Sequence, residues 1–355
     1  MSDSIDWDLA GSVAARIAGD DPFASSYHAH GMARDFEELT AQAQVYVEAE
    51  TGFRSAAGPA RAKVVDRSDW VQANLASYRR MLRPVLTRLE DAMGGVAGEL
   101  SGKVAGAELG AMLGWMSTRV LGQYDLLVLE DEDPEDQDLV YYVGTNILAL
   151  EKRQSFPPEE FRLWVALHEV THRTQFTGVP WLRPYFLGLV HQLVDEADTD
   201  PARLFTAVGR VADGLRRRTN PLSDGGIAAL FATPEQLKVM EQVGGLMSLL
   251  EGHGDVIMDR AATERVPSAP RFARALRARR AEMNVAAKLL QRLIGLEAKL
   301  AQYEQGEAFI AAVEEVGGPA LLNRAFERSE NLPSLEEIRD PARWLARVAP
   351  TVTAA

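Results

Sequence analysis

Apolar residues recur three and four positions apart through most of the chain, the spacing of one face of an α-helix. The pattern predicts helices near 5–18, 34–51, 68–94, 97–122, 158–176, 181–195, 201–217, 234–262, 271–304 and 307–315. Prolines such as Pro157, Pro180, Pro201 and Pro234 sit near several of the starts, where a missing N–H costs nothing. One region breaks the period. Tyr124 to Glu130 (YDLLVLE) and Leu139 to Gly144 (LVYYVG) are short, aromatic and β-branched. They predict an antiparallel β-hairpin, with Asn146 to Leu150 as a candidate continuation. The acidic run Glu130 to Asp138 between them lacks the glycine of a calcium loop and reads as a solvated tip. The tail from Ser329 is less regular, and Trp344 and Leu345 are expected to dock it on the body.

No Gly/Ser-rich linker divides the chain. The expected fold is therefore mainly α, a single unit over 1–355 with a small antiparallel β-hairpin or sheet beside the helix at 158–176. Within it, 1–122 forms an N-terminal helical part, and 123–355 carries the hairpin, the helices at 158–176 and 234–262 and the C-terminal helices. Gly102, Gly106, Gly110 and Gly114 recur every four residues on one predicted helix. Each costs roughly 1 kcal/mol of helix propensity relative to alanine, so another backbone is expected to lie close against that stripe. Packing within the chain is the first reading and a dimer seam the second.

Composition narrows the chemistry. The 355 residues carry 51 Asp and Glu against 38 Lys and Arg, for a formal charge of -13, and contain no cysteine and only six histidines. An acidic surface disfavours phosphate backbones, so nucleic acid is not an expected partner. Thiolate catalysis, disulfides and Cys-ligated metals are excluded. The N-terminus has acids where an export signal would have basic residues, and the longest weakly charged stretch, around Val104 to Gly122, contains Glu108 and Arg119. A cytoplasmic protein with no membrane partner is expected. Its oligomeric state stays open.

With no thiols, a transition-metal site must be built from histidine and carboxylate. Residues 168–172 read His-Glu-Val-Thr-His, an H-E-x-x-H motif. On a helix, His168 and His172 sit one turn apart on one face and can chelate a single ion, zinc being the ion such sites favour. Glu169 projects beside them, placed to act as general base toward an attacking water. Phe161, Trp164, Val165 and Phe176 share the histidines' stripe, so the pair faces inward. A third ligand is required. Glu251 with Asp255 and Glu196 with Asp200 both have the form E-x-x-x-D. Glu251 lies in an apolar, glycine-flanked run (MSLLEGHGDVIMD), where Asp255 can orient a liganding imidazole. Glu196 lies in the polar stretch DEADTDP, which reads as a solvated helix end. His253 is a candidate catalytic donor to an oxyanion, and Tyr185, His191 and Tyr303 are weaker ones. Arg271, Arg274, Arg277, Arg279 and Arg280, with Arg216 to Arg218, are either a basic pocket or, as the commoner case, salt-bridge partners on an acidic chain.

The H-E-x-x-H motif followed by a downstream Glu-Gly and a further acid resembles the gluzincin branch of zincin-like metallopeptidases. More narrowly, HEVTHRTQF, LLEGHGDVIMD, LIGLEAKLAQYEQGEAF and ENLPSLEEIRDPARW resemble one family of bacterial zincin-like proteins. Its members are often labelled as hydrolases or as associated with deazaflavin-coenzyme biosynthesis. The resemblance implies His168 and His172 as zinc ligands, Glu169 as catalytic base and Glu251 as third ligand. With the site so read, the expected reaction is metal-assisted hydrolysis, with a peptide or amide as the expected substrate. A small anionic metabolite is the alternative substrate, and a non-catalytic, metal-stabilised scaffold the alternative function.

Overall fold

The computed structural model describes residues 5–21, 23, 26–92, 96–126, 137–195, 233–281 and 296–349. The chain is mainly α, as the periodicity predicts. Helices α1 (Trp7–Ala18) and α2 (Tyr27–Thr51) precede strand β1 (Arg61–Val65). Helices α3 (Arg67–Ala92) and α4 (Val96–Ser117) lead into β2 (Gly122–Tyr124), and β3 (Leu139–Val143) runs straight into α5 (Gly144–Gln154). Then come α6 (Pro158–Gly178), α7 (Leu182–Asp195), α8 (Pro234–Ala262), α9 (Ala269–Ala281) and α10 (Leu296–Asn323). Helix α10 is broken by Gly318, whose φ is 66°, and by Pro319. Two single 3-10 turns follow, then α11 (Leu335–Arg339) and α12 (Pro341–Val348). The predicted helix at 201–217 lies outside the described residues. So does the stretch 282–295 within the predicted 271–304 helix.

The packing divides the chain into two compact units, one of Met1–Pro180 with Ile257–Ala275, the other of Trp181–Val256 with Leu276–Ala355. The first is built on a three-stranded sheet in the order β1-β3-β2. β2 and β3 pair antiparallel, as the hairpin reading expects, with Gly122 opposite Tyr142 and Tyr124 opposite Val140. The pairing begins earlier on β2 than expected, at Gly122, and of the predicted strand 124–130 only Tyr124 belongs to it; 127–130 lie outside the described residues. β1 adds a parallel partner on the other side of β3, so the sheet is mixed. The expected continuation at Asn146 to Leu150 is instead part of α5. Its residues 144–148 are all buried, which erases the one-sided period that marks a helix.

β3 is buried at every position. Leu139, Tyr141 and Val143 pack into a core with Ala10, Ala14, Trp70, Val71, Leu75 and Leu113 from α1, α3 and α4. The opposite face carries Val140 and Tyr142. The Tyr142 ring stacks on Phe36 of α2 at 4.0 Å, and its hydroxyl shares a hydrogen bond with Thr40 Oγ1 at 2.8 Å. The glycine stripe on α4 receives α1. A Cβ at Gly106, Gly110 or Gly114 would meet the carbonyl oxygen of Asp6, Ala10 or Ala14 at 2.3, 2.3 and 2.7 Å. Asp6 N–H donates to Gly102 O at 3.0 Å, and the Asp6 carboxylate caps α1 through Leu9 N–H. Packing within the chain thus accounts for the glycines.

In the second unit, α8 and α10 cross with their backbones in contact. A Cβ on Gly252 would lie 2.4 Å from Gly306 C, and one on Gly306 would lie 2.1 Å from Ser248 O. The C-terminal tail docks as expected through Trp344, which is fully buried, packs edge-on against Phe309 and donates its indole N–H to Asn331 O at 2.7 Å. Among the described residues, no helix is long and apolar enough to cross a membrane.

Candidate metal centre

Helix α6 carries the H-E-x-x-H motif. Pro158 opens it, and Glu159 and Glu160 place negative charge in its first turn, where the helix dipole favours it. Two buried arginines fix the helix in place. Arg162 binds the Glu151 carboxylate of α5 with Nε at 2.8 Å and reaches Asp35 of α2 at 2.5 Å. Arg173, with no exposed surface, binds Asp138 at 2.5 Å and the Gly58 carbonyl at 2.9 Å. It thereby ties α6 to the chain entering β1 and β3. Asp138 is therefore an anchor and not part of a solvated tip.

Helix α6 lies on the face of the sheet that carries Gly122, Tyr124 and Tyr142. Phe176 stacks on Tyr124 at 6.3 Å. About two turns earlier, Glu169 rests on Gly122, and a Cβ there would stand 2.6 Å from Glu169 Cγ. Glu169 is 8% exposed. Burial pushes the Tyr142 phenol above its ordinary pKa, and the Glu169 charge adds to the rise. The glutamate thus sits at the edge of the sheet, in a site that water reaches only narrowly.

His168 and His172 stand one turn apart with ring centroids 4.7 Å from one another and ring planes at 86°. Both are half-buried. His172 Nδ1 pairs with Gln175 Oε1 at 3.0 Å. Among the described residues, His168, His172 and Glu251 form a group able to hold a metal ion, each offering one ligand atom, with those atoms all within 4.8 Å of one another. Glu251 itself is buried. The donor set of two imidazoles and one carboxylate suits zinc, which takes N and O ligands in four-coordinate sites and leaves one position open when it is catalytic. Zinc bonds of about 2.0–2.1 Å space tetrahedral ligand atoms about 3.3 Å apart.

The remaining candidates separate. Asp255 follows Glu251 by one turn on α8 and is half-buried. His253 is buried, with its ring tilted on Phe326 at 4.9 Å. Tyr185 packs edge-on against Trp181, and burial raises its pKa, with the Glu330 charge adding to the effect. His191 is exposed. Glu196, Asp200 and Arg216 to Arg218 lie outside the described residues, as do the side chains of Tyr303, Arg279 and Arg280. Arg271, Arg274 and Arg277 are exposed on α9, and Arg271 is engaged by Gln154 O and the Phe156 ring. Two residues beside the motif escaped the sequence reading. Gln175 had a signal in its i+3 spacing from His172. Gly122 had none, because its part depends on a strand meeting a helix.

The family model for zincin-like metallopeptidases matches residues 5–345. Among solved structures, a protein from Chloroflexus aurantiacus, provisionally described as a hydrolase with a novel fold, matches with a TM-score of 0.70. The two are 30% identical over 97% of this chain and 99% of that one. A comparison with curated proteins found no match. The motif, the fold and the match over nearly the whole chain lead to one assignment: this chain belongs to the zincin-like metallopeptidase family.

Proposed function

We propose that the protein is a zinc-dependent hydrolase of peptide or amide bonds, with His168, His172 and Glu251 as the ligands and Glu169 as the general base. The observation that carries this reading is that those three donors, two on α6 and one on α8, lie within 4.8 Å of one another, with Glu169 next to His168 on α6. Bound zinc would supply a Lewis acid for the substrate carbonyl and lower the pKa of water. The chain's own residues do the rest. Glu169, held against Gly122 and shielded from bulk water, takes the proton of the attacking water and delivers it to the leaving amine. His253 is the candidate donor to the developing oxyanion.

The test is metal analysis combined with one isosteric change. Protein purified without added metal should hold about one zinc per chain, and the double variant His168→Ala, His172→Ala should hold none. Glu169→Gln should keep metal and fold but lose turnover across a peptide and amide library. Equal turnover by wild type and Glu169→Gln would remove the glutamate from the mechanism. A metal-loaded wild type that turns over nothing in the library favours the scaffold function.

A further inference from the structure

We infer that Gln175 is a positioning residue for the metal centre, holding His172 with its proton on Nδ1 and its Nε2 lone pair presented to the ion. The inference rests on the proposed metal site and adds to it a residue outside the ligand set. Three observations meet here. Gln175 lies on α6 three positions after His172, the spacing at which side chains on one helix face touch. Its amide oxygen is 3.0 Å from His172 Nδ1. It has no exposed surface, and an amide is placed in such a position at a cost unless its polar atoms are bonded.

A neutral imidazole has one N–H and one lone pair, and the partner of one nitrogen decides what the other can do. An oxygen acceptor at Nδ1 puts the proton there and frees Nε2 for the metal. The same bond fixes the rotation of the ring about its Cβ–Cγ axis, so the lone pair is already aimed before the ion arrives. Orienting partners of this kind change metal affinity by about 10- to 100-fold when removed. In many metal sites the partner is a carboxylate, which also raises the basicity of the imidazole. Gln175 orients the ring without adding a second negative charge beside Glu169.

The experiment compares wild type, Gln175→Met and Gln175→Glu. Methionine keeps the length and fills the buried space but accepts no hydrogen bond of comparable strength. Glutamate keeps the acceptor and brings a charge. Zinc affinity by chelator competition should fall about 10- to 100-fold in Gln175→Met and be held or increased in Gln175→Glu. A residue needed only for packing gives the reverse order, since methionine packs and a buried charge does not. In parallel, nitrogen NMR of metal-free wild type should show His172 protonated on Nδ1. A ring protonated on Nε2, meaning the amide has its NH₂ toward the ring, overturns the inference whatever the variants do. Wild-type affinity in Gln175→Met overturns it as well, and leaves the metal reading standing. A wild type that binds no zinc overturns the metal reading and the role of Gln175 together, and the His168→Ala, His172→Ala variant identifies that case.

Discussion

Gly122→Ala adds one methyl group between the edge strand and the glutamate of the motif. The added Cβ would stand 2.6 Å from Glu169 Cγ and 2.8 Å from its Cδ and Oε1, where ordinary contact begins at 3.4 Å. Relief therefore needs a shift of about 0.8 Å (the shortfall in the Cγ contact) in β2 or in the Glu169 side chain. β2 is held to β3 by its ladder, including Val143 N–H to Leu121 O at 2.8 Å and Asp125 N–H to Leu139 O at 3.1 Å. Glu169 is only 8% exposed and has little room to swing aside. Overpacking of this kind costs about 1–3 kcal/mol, against roughly 0.5–1 kcal/mol that alanine would otherwise gain over glycine in a regular element.

A double-mutant cycle isolates the collision from every other effect of the methyl group. Gly122→Ala should destabilise the wild-type protein in urea unfolding and be neutral or stabilising on a Glu169→Ala background. The coupling between the two positions should be about 1–3 kcal/mol. Zinc content should not change, since no ligand is touched. Turnover should fall, because a displacement of about 1 Å in a reacting group can cost about 100-fold. A coupling of zero, with Gly122→Ala equally costly on both backgrounds, would refute the reasoning. The glycine would then serve the strand and not the base.

Glu251→Ala should weaken zinc binding strongly and Asp255→Ala by about 10- to 100-fold, while Glu196→Ala changes little; chelator competition on the three variants reads the order. Gly110→Ala would bring a Cβ within 2.3 Å of Ala10 O and 2.9 Å of its Cα. It should lower stability by about 1–3 kcal/mol despite the roughly 1 kcal/mol of helix propensity gained, measured by thermal unfolding. The Glu337 carboxyl is pushed up by burial, but hydrogen bonds from Arg347 and from Ser334, with the Arg347 charge, leave it below its ordinary pKa. A lowered folded-state pKa stabilises the fold above the unfolded value and loses that stabilisation as pH falls through the folded value. The cap of α11 should therefore loosen in acid, below about pH 4, and Glu337→Gln should show a smaller acid dependence of unfolding than wild type.

What could be read from the sequence divides along the range of the interactions concerned. Helix α8 spans Pro234–Ala262 and α6 begins at Pro158, both where the apolar period and a proline place them. The two histidines are brought together by helix geometry alone, so five consecutive residues suffice to predict their pairing. β1 was not legible. It is five residues long, reads RAKVV, and buries only Val65 fully. Its parallel partner lies more than seventy positions away, with Arg61 opposite Leu139. Nothing in that segment marks it as a strand until β3 is there to pair with it. α5 failed for the opposite reason: its first five residues are buried all round and carry no amphipathic signal.

The same distinction explains why the proposed third ligand is harder to read from the sequence than the two histidines. Glu251 and Glu196 share the form E-x-x-x-D, and the spacing to His172 carries no geometric rule. The discriminating signal was indirect, a carboxylate in an apolar run beside glycines. The structure gives those glycines a physical cause. Gly252 lets the backbone of α8 meet that of α10, and a Cβ there would fall 2.4 Å from Gly306 C. No side chain of any size fits that crossing, so α8 has one depth at which it can pack on α10, set by the residue next to Glu251. Ligands on a single helix hold their spacing wherever the helix goes. A carboxylate on α8 keeps its depth against α10 only if α8 cannot slide or roll on α10. A backbone-to-backbone contact immediately beside the ligand restricts both motions more tightly than interleaved flexible side chains could. The glycine cost in helix propensity is thus offset by precision at a buried carboxylate, and a metal there would supply the charge that makes its burial tolerable.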